Sequence, residues 1–301
     1  MYSGILNVDK EKGISSARVV SLVRRALNQK KVGHTGTLDL EASGVLPIVV
    51  GKATRVSDYM MGKDKTYECL MEFGKKTDTL DAAGEVIKES SKTCKREDLE
   101  KVLEKYRGEI EQIPPMYSAL KVDGKKLYEL ARSGKEIERK KRKVKIYSIK
   151  LIDFDFPYAK ISVTCSKGTY IRTLVDDIGE DLGCLSFVKE LRRVRVGDFL
   201  VDEAVKSSDI LEMDKDKLLS KLDRVDKALD NFPRFDLSEN LFDKAVNGMT
   251  IKIDEIIDEE VEEVRVYSRD EFIGLAKSFE SRGGYFLKME KVFYDRENKN
   301  I

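Results

Sequence analysis

The sequence has few of the residues on which metal and redox chemistry depends. One histidine, His34, occurs in 301 residues, and the four cysteines form no CxxC pair. Zinc and iron sites are built from clustered cysteine and histidine ligands, so this composition argues against a metal site. Cysteines scattered in this way are typical of small apolar core residues in a reducing compartment.

Sequences that bind nucleotide cofactors or cross membranes are also missing. The chain contains neither a Walker A sequence nor GxGxxG, so we expect no cofactor. No stretch approaches the roughly 18 apolar residues that span a bilayer, and the N-terminal MYSGILNVDK lacks the basic-then-apolar pattern of a signal peptide. These absences predict a cytoplasmic protein without a membrane partner.

Charge is segregated along the chain, although the net charge is only +1. Residues 121–150 contain twelve Lys and Arg against four Asp and Glu, including RKKRKVK at 139–145. Residues 251–263 reverse the balance, with seven acids and one lysine. Most such runs are solvated surface, but a local positive face on a neutral protein can also bind a polyanion.

Apolar residues at two spacings predict an α+β fold. Helical spacing is found in ARVVSLVRRAL after Ser15 and Ser16, in REDLEKVLEKYRG, and in TYIRTLVDDIGEDLG, which ends at Gly183. Alternating or β-branched segments such as VLPIVVGKAT, KTYECLMEFG, VKIYSIKLIDFDF and AKISVTCS predict strands. The mixture indicates a large, mainly antiparallel sheet flanked by helices.

The pattern changes near NFPRF at 231–235, which resembles a linker. The residues that follow are short strand-like pieces around glycines, among them MTIKI, EEVRVYS and GGYFLKMEKVFYD. We therefore predict a large domain over residues 1–232 and a small, mostly β domain over residues 233–301.

Three short segments contain side chains suited to chemistry. GHTGTLDLEASGVLP is broken by glycines and places Asp39 between two leucines, which would dry a pocket around the acid. Tyr67 lies at the start of a predicted strand, and Arg172 lies in the first turn of a predicted helix, within SKGTYIRTL. A carboxylate between leucines resists burial unless a cation accompanies it, and Arg172 is one candidate. At about 4 Å and an effective dielectric constant near 20, such a pair attracts by roughly 4 kcal/mol before desolvation is subtracted.

Residue type alone leaves several roles open for these side chains. An ionised Asp39 in an apolar pocket could act as a nucleophile or a base, or it could be a turn residue that binds local amides. Tyr67 could be a core aromatic, and His34 could be a structural hydrogen-bonding group.

Five long segments together form a distinctive set, namely GHTGTLD with SGVLPIVVGKATR, KTYECLMEFG, QIPPMYSALKVDGKKLYELARSG, SKGTYIRTLVDDIGEDLG and LRRVRVG. In sequence and in order, these segments resemble the TruB family of tRNA pseudouridine synthases. The resemblance covers most of residues 3–200. It implies an isomerase that converts uridine 55 in the TΨC arm of tRNA to pseudouridine, with a pseudouridine-synthase-type catalytic domain and a small C-terminal PUA-like domain.

The resemblance implies a catalytic role for one residue. Asp39 matches the family's essential aspartate. Tyr67 matches the active-site tyrosine that stacks on the target base, and Arg172 matches the arginine that pairs with the aspartate.

Three further residues match positions that contact or surround the substrate. Leu191 matches an apolar residue that lines the pocket, and His34 matches a histidine associated with the extruded target and its neighbouring bases. Lys12, in DKEKGISS, lies in the family's N-terminal lysine-glycine motif.

Two features depart from the family pattern. Leu40 follows the aspartate where the family usually has proline, which would fix the backbone, so we expect a freer loop. The acidic run from Asp254 to Glu263 would repel phosphate from that surface of the C-terminal domain.

The residue types suit the reaction that the resemblance implies. The target base must leave its stack before a protein group can reach it, and Tyr67 could replace the lost stacking at about 1 to 3 kcal/mol per base. Lysines and arginines of residues 121–145 would hold the phosphate backbone. We therefore expect uridine isomerisation by a monomer that binds the T stem-loop of tRNA.

Two other functions remain as alternatives, namely a catalytically silent tRNA-binding or tRNA-folding protein and a nucleobase hydrolase. Whether Asp39 attacks the sugar, attacks the base or abstracts a sugar proton stays open.

Overall fold

Two large β-sheets organise the computed structural model, which describes residues 1–118, 120–122, 124–254 and 263–294. An 11-stranded sheet is formed between residues 4 and 223, and a five-stranded sheet is formed between residues 234 and 292. The strands, in chain order, are β1 (Gly4–Lys10), β2 (Val32–His34), β3 (Ser43–Val50), β4 (Lys65–Phe73), β5 (Lys75–Thr77), β6 (Val86–Glu89), β7 (Gly108–Gln112), β8 (Lys121–Val122), β9 (Lys125–Lys126), β10 (Arg142–Asp155), β11 (Tyr158–Cys165), β12 (Ser186–Val196), β13 (Phe199–Leu200), β14 (Val205–Lys206), β15 (Leu222–Asp223), β16 (Arg234–Asp236), β17 (Thr250–Ile253), β18 (Glu263–Ser268), β19 (Glu271–Ser281) and β20 (Gly284–Val292).

Seven α-helices and five 3-10 helices connect the strands within the described residues. The α-helices are α1 (Ser16–Leu27), α2 (Ser57–Gly62), α3 (Arg96–Lys105), α4 (Leu127–Arg132), α5 (Ile171–Leu182), α6 (Lys215–Leu219) and α7 (Phe242–Val246). The 3-10 helices are Gly51–Val56, Val201–Glu203, Asp209–Leu211, Val225–Leu229 and Glu239–Leu241.

The large sheet is mixed, with mostly antiparallel pairs. Its order is β14-β1-β3-β12-β4-β11-β10-β7, with β2 beside β3, β15 beside β1 and β13 beside β12. The parallel pairs are β1 with β14 and β3 with β12, and the others are antiparallel. The predicted α+β fold with a large, mainly antiparallel sheet is confirmed.

Helices α1, α3 and α5 pack on one face of the large sheet. Leu46 and Ile48 of β3 share a core with α1, and Cys69 and Met71 of β4 share a core with α3 and α5. Arg193 of β12 lies opposite Gly44 on one side and Tyr67 on the other, so the alternation of side chains places all these residues on the same face. This face carries the candidate site.

The ends of helices α1 and α5 follow local sequence signals. Ser15 caps α1, because its side chain accepts from the N–H of Arg18, and α1 ends at Asn28 in the left-handed conformation. Gly183 ends α5 with φ of +69°, as the sequence predicts.

The five-stranded sheet has the order β16-β18-β19-β20-β17 and packs against the large sheet. One cluster of buried side chains joins the two regions. From the small-sheet region it contains Tyr267, Phe272, Leu275 and Phe293, and from the large-sheet region it contains Ile5, Val45, Val49 and Met60. The two regions therefore share a hydrophobic core.

Sequence patterns missed two long strands. Strand β12, in the middle of the large sheet, and β19, in the small sheet, have 11 residues each, yet neither was predicted. The acidic run Asp254 to Glu263 lies outside the described residues except for its two ends. Over the described part of the chain, no helix is long and apolar enough to cross a membrane.

Candidate active site

The loop that contains Asp39 is attached to the first residue of helix α1. Ser16 Oγ donates to the carbonyl of Leu38 at 3.0 Å and accepts from the N–H of Leu38 at 2.9 Å. A tight turn follows, in which the N–H of Ala42 donates to the carbonyl of Asp39 at 3.2 Å. The backbone of Asp39 is therefore fixed on both sides.

Leu40 occupies the second position of this turn, a position that favours proline. Its carbonyl accepts from the N–H of Gly13 at 2.8 Å and lies 3.5 Å from Nζ of Lys10. These contacts restrain the residue that the missing proline would have restrained. The Leu40 side chain is 51% exposed and that of Leu38 is 4% exposed, so Leu40 does not dry a pocket around the acid, contrary to our expectation for both leucines.

Arg172 connects two carboxylates. Its NH2 lies 3.0 Å from Oδ2 of Asp39, and its NH1 lies 3.4 Å from Oδ2 of Asp81. The guanidinium also donates to the carbonyls of Thr79 at 3.0 Å and Tyr117 at 2.8 Å. A buried cation needs such partners, and Arg172 is buried while the Asp39 side chain is 44% exposed. Within the described part of the chain no hydrogen bond reaches Oδ1 of Asp39, so this oxygen is available to a substrate.

The first turn of α5 is held by strand β7 at the edge of the large sheet. Gln112 accepts from the N–H of Tyr170 at 3.1 Å and donates to the carbonyl of Tyr170 at 3.3 Å. Tyr170 is the residue before the helix, and its own side chain does not cap it. Gln112 therefore helps to fix where Arg172 emerges.

A second buried arginine lies beside Tyr67. Arg193 donates through Nε to the carbonyl of Val45 at 2.7 Å and through NH2 to the carbonyl of Gly36 at 3.3 Å. Arg193 is opposite Tyr67 across β12 and β4, and Tyr67 is half-buried. Burial raises the pKa of Tyr67 and the charge of Asp39 adds to the shift, whereas Arg193 opposes it, so the phenol is neutral at pH 7.

His34 ends strand β2 and is half-buried. Its Nδ1 accepts from the N–H of Gly36 at 3.4 Å. Burial lowers the pKa of His34, and the Arg193 guanidinium lowers it further. His34 is therefore a neutral ring at pH 7, which suits stacking against a base better than binding a phosphate.

Asp39, Asp81, Arg172 and Leu191 line one cleft on the helix-bearing face, together with Glu41 and Val188. Leu191 lies on β12 opposite Cys69, which makes it part of the wall between β12 and β4. The structure thus brings together three of the six predicted site residues, and Tyr67 is near enough for the charge of Asp39 to affect its pKa. His34 and Lys12 are not among the residues that line this cleft.

Two lysines near the loop differ in burial. Lys12 is exposed and pairs with Glu41 at 3.1 Å on the rim of the cleft. Lys10 is fully buried and donates to the carbonyls of Glu11 and Ile14, both at 2.9 Å. Burial lowers the pKa of Lys10 to about 8, although the charge of Asp39 acts in the opposite direction.

Lys10, Asp81 and Arg193 are the site residues that sequence reasoning missed. Each is a charged residue next to buried or small ones. A lysine that ends an apolar strand, an acid after Leu80, and the second arginine of LRR were the available signals. None of these signals reveals what the side chain binds, because each binding partner is either a residue distant in sequence or a backbone carbonyl.

Comparison with known proteins identifies the family. Residues 24–171 match the family model "TruB family pseudouridylate synthase (N terminal domain)", and residues 172–231 match "tRNA pseudouridylate synthase B C-terminal domain". The chain is 42% identical to the tRNA pseudouridine synthase B of Clostridium kluyveri over 96% of this chain and 99% of that one. The chain belongs to the TruB family.

Other TruB relatives and a solved structure agree with this assignment. The tRNA pseudouridine synthase B of Pseudomonas fluorescens is 45% identical over 83% of each chain. A chain in a crystal structure of a Cbf5-Nop10-Gar1 complex has a TM-score of 0.74 at 26% identity, over 98% of this chain and 86% of that chain. The family resemblance read from the sequence is confirmed.

Proposed function

We propose that this TruB-family chain converts uridine 55 in the T stem-loop of tRNA to pseudouridine, with Asp39 as the essential carboxylate. The observation that carries the proposal is the contact between Arg172 and Asp39 at the mouth of a cleft, with one Asp39 oxygen left unbonded by the described residues. Curated relatives named tRNA pseudouridine synthase B, at 42% to 45% identity, support the tRNA substrate.

The geometry supports specific roles for the residues around the acid. Arg172 is buried and hydrogen-bonded to two backbone carbonyls, which hold its guanidinium in place beside the carboxylate of Asp39. The neutral ring of Tyr67 offers a stacking face for an extruded uracil, and His34 offers a second neutral ring on the neighbouring loop. Leu191 excludes water from one wall, and Lys12 lies on the rim, where it could meet a phosphate.

The decisive experiment replaces the acid without changing its shape. Asp39→Asn should form no pseudouridine in a tRNA transcript and should still bind that transcript within a few-fold of the wild type. Glu41→Gln is the matched control, because Glu41 lines the same cleft, and it should retain activity. Full product formation by Asp39→Asn would contradict the assignment of the acid.

Two product measurements separate this proposal from its alternatives. Mapping pseudouridine in total tRNA treated with the wild type should show the modification at position 55, and a modification confined to the anticodon arm would contradict the substrate. Free uracil among the products would indicate a hydrolase. Binding without any product from the wild type would indicate the silent tRNA-binding or tRNA-folding protein.

The proposal includes the domain organisation. We assign residues 1–232 to the catalytic domain and residues 233–301 to a PUA-like domain. Strand β16, which begins at Arg234, already pairs with the small sheet, and the matched family models end at residue 231, both of which support this boundary. We further propose that the chain acts as a monomer and that the reaction takes place in the cytoplasm.

A further inference from the structure

A segment near the N-terminus, residues 13–37, contains cations and no acids. The chain has 55 Asp and Glu in 301 residues, yet none lies between Lys12 and Leu38. The same stretch contains five Lys and Arg, three of them on helix α1 and two shortly after it. A stretch of this length without an acid has a positive potential that no local carboxylate reduces.

Helix α1 presents these cations on the side opposite its core contacts. Val19, Val20, Val23 and Leu27 are buried, and the exposed stripe is formed by positions three, four and seven residues apart. We define the α1 surface as Arg18, Ser21, Arg25, Asn28 and Lys30, all of them exposed. Ser21, Arg25, Asn28 and Lys30 also line a shallow groove at the C-terminal half of the helix.

The cations of the α1 surface have no carboxylate partner in the described part of the chain. No ion pair there involves Arg18, Arg25 or Lys30, whereas Arg24, on the adjoining side of the helix, donates to the carbonyl of Val32 at 2.8 Å. The predicted basic segment differs in this respect. Lys143 pairs with Glu109 at 2.8 Å and Lys141 lies 3.6 Å from Glu111, so part of that charge is already neutralised.

The α1 surface starts beside the candidate site. The first residue of α1, Ser16, is bonded to Leu38, which precedes Asp39, and the last residues lead through Lys30 and Lys31 into the strand that ends at His34. Helix α1 and the cleft lie on the same face of the large sheet. At about 1.5 Å per residue, the 12 residues of α1 extend the positive surface by about 18 Å from the Asp39 loop.

We propose that the α1 surface binds the phosphodiester backbone of the RNA substrate while the target uridine occupies the cleft. This inference rests on the proposed function for the choice of RNA as the polyanion. Guanidinium and ammonium groups bind phosphate directly, while the hydroxyl of Ser21 and the amide of Asn28 add neutral hydrogen bonds to phosphate or ribose oxygens. Such contacts give affinity and orientation without reading sequence.

The test removes three charges and measures binding over a range of salt concentrations. The variant is Arg18→Gln/Arg25→Gln/Lys30→Gln. Each lost phosphate contact should make the negative slope of log K against log salt shallower by about 0.9, and it should weaken binding at 0.15 M salt by about five-fold. The triple variant should therefore bind full-length tRNA roughly 100-fold more weakly, with a slope reduced by about 2.7. Its kcat at saturating tRNA should equal that of the wild type, because none of the three residues lines the cleft.

The matched control removes the same number of charges elsewhere. Lys92, Lys101 and Lys221 are exposed and are in no ion pair within the described ranges, and their triple glutamine variant should bind tRNA as the wild type does. Equal weakening in both triple variants, an unchanged slope in the first, or a loss of affinity that does not depend on salt would overturn the proposal. Thermal unfolding midpoints equal to the wild type would show that each variant is folded, and the double variant Arg25→Gln/Lys30→Gln gives the same test with fewer changes.

The two proposals fail in different measurements. Pseudouridine formation by the wild type tests the proposed function alone, whatever the salt dependence. If the wild type forms product and the α1 triple variant binds tRNA normally, the α1 surface is not a backbone contact, although the proposed function stands.

Discussion

Arg172 has five N–H donors in a rigid fork, and the structure has contacts from its guanidinium to two carboxylates and two carbonyls. A lysine offers three donors from one point and could not serve four separated acceptors in the same way. Residue type alone made Arg172 one candidate cation for Asp39, and the family resemblance implied the pair that the structure contains. The second carboxylate, Asp81, was not predictable, since its sequence context is typical of a turn and Thr79 and Ala83 indeed bond to it there.

Asp81→Asn should lower kcat and leave the affinity for tRNA nearly unchanged. Without the second charge, Arg172 loses one of its two ionic partners. On the proposal that Asp39 is the essential carboxylate, a small displacement of its side chain costs about 10- to 100-fold in rate. Single-turnover and steady-state kinetics on a tRNA transcript would measure both quantities. Glu85→Gln, an exposed acid in the same loop, is the control, and an Asp81→Asn variant with wild-type kcat would contradict this account.

Leu40→Pro should stabilise the protein by about 0.4 to 1 kcal/mol without loss of activity. Leu40 is the second residue of a tight turn and uses its carbonyl, not its side chain, for contacts, so proline can replace it and reduce the entropy of the unfolded chain. Urea unfolding at constant m-value and kcat/KM would measure the two effects. Leu40→Ala is the control and should give no gain in stability. Destabilisation by Leu40→Pro would show that the turn does not tolerate the proline φ.

Lys10 should make stability depend on alkaline pH. Its pKa is about 8 in the folded chain and 10.5 in the unfolded chain, so between these values the unfolded chain binds more protons and the free energy of unfolding rises with pH. The rise in the free energy of unfolding is at most a few kcal/mol. It should be absent from Lys10→Met, which has no titrating group at position 10. The difference in unfolding free energy between wild type and variant, measured by urea at several pH values from about 7.5 to about 10.5, should therefore shift in favour of the wild type. A difference that stays constant would mean that Lys10 titrates normally.

At the scale of elements, helices were predictable and the central strand was not. Helices α1, α3 and α5 have one apolar stripe each, and Ser15 and Gly183 signal two of their ends. Strand β12 contains Lys189, Glu190 and three arginines, so its sequence does not read as a buried strand. The reason appears only in the fold, because Arg192 pairs with Asp9 at 2.7 Å on one face and Arg193 bonds to carbonyls on the other.

Gly44→Ala should break the junction between β3 and β12. Gly44 has φ of +108°, and a Cβ atom there would lie 2.1 Å from the carbonyl oxygen of Arg193, which is backbone and cannot move alone. We expect a loss of at least about 3 kcal/mol in the free energy of unfolding, from the strain and the displaced strand together.

The measurement is urea unfolding, with Gly62→Ala as the control. Apart from its chain neighbours and the backbone of its own helix, no atom of the described residues lies within 4 Å of a Cβ at Gly62. Its φ is not positive, so alanine there should be neutral or slightly stabilising. Similar stability of Gly44→Ala and the wild type would show that the two strands can separate at this point without cost.

At the scale of the whole molecule, the sequence indicated two regions but not how they join. The linker-like NFPRF and the change of pattern near residue 233 were visible, and the mostly β character of the second region followed from short alternating segments. The shared core was not visible, because aromatic residues such as Phe272 and Phe293 look the same whether they pack within a small domain or against a neighbour. Parallel pairing of β3 with β12, some 150 positions apart, is likewise a property of topology and has no local signal.

Phe272→Ala should destabilise both regions together. Phe272 is buried in the core that joins the two sheets and stacks on Phe293 with ring centroids 5.6 Å apart, so its removal should cost about 3 to 5 kcal/mol. Calorimetry should show one cooperative transition in the wild type and one transition at lower temperature in the variant. Phe279→Ala, at a ring that is 42% exposed, should have a small effect, and a variant in which only one of two transitions moves would contradict joint unfolding.

The bond between Gln112 and Tyr170 has a consequence for how long the cleft stays assembled. Strand β7 is the edge of the large sheet, paired on one side only, and edge strands open more often than central ones. Each opening would release the residue that precedes α5, and with it the anchor behind Arg172. Opening of β7 therefore loosens one of the contacts that position Arg172 beside Asp39, and amide hydrogen exchange at residues 108–112 would measure how often the strand opens.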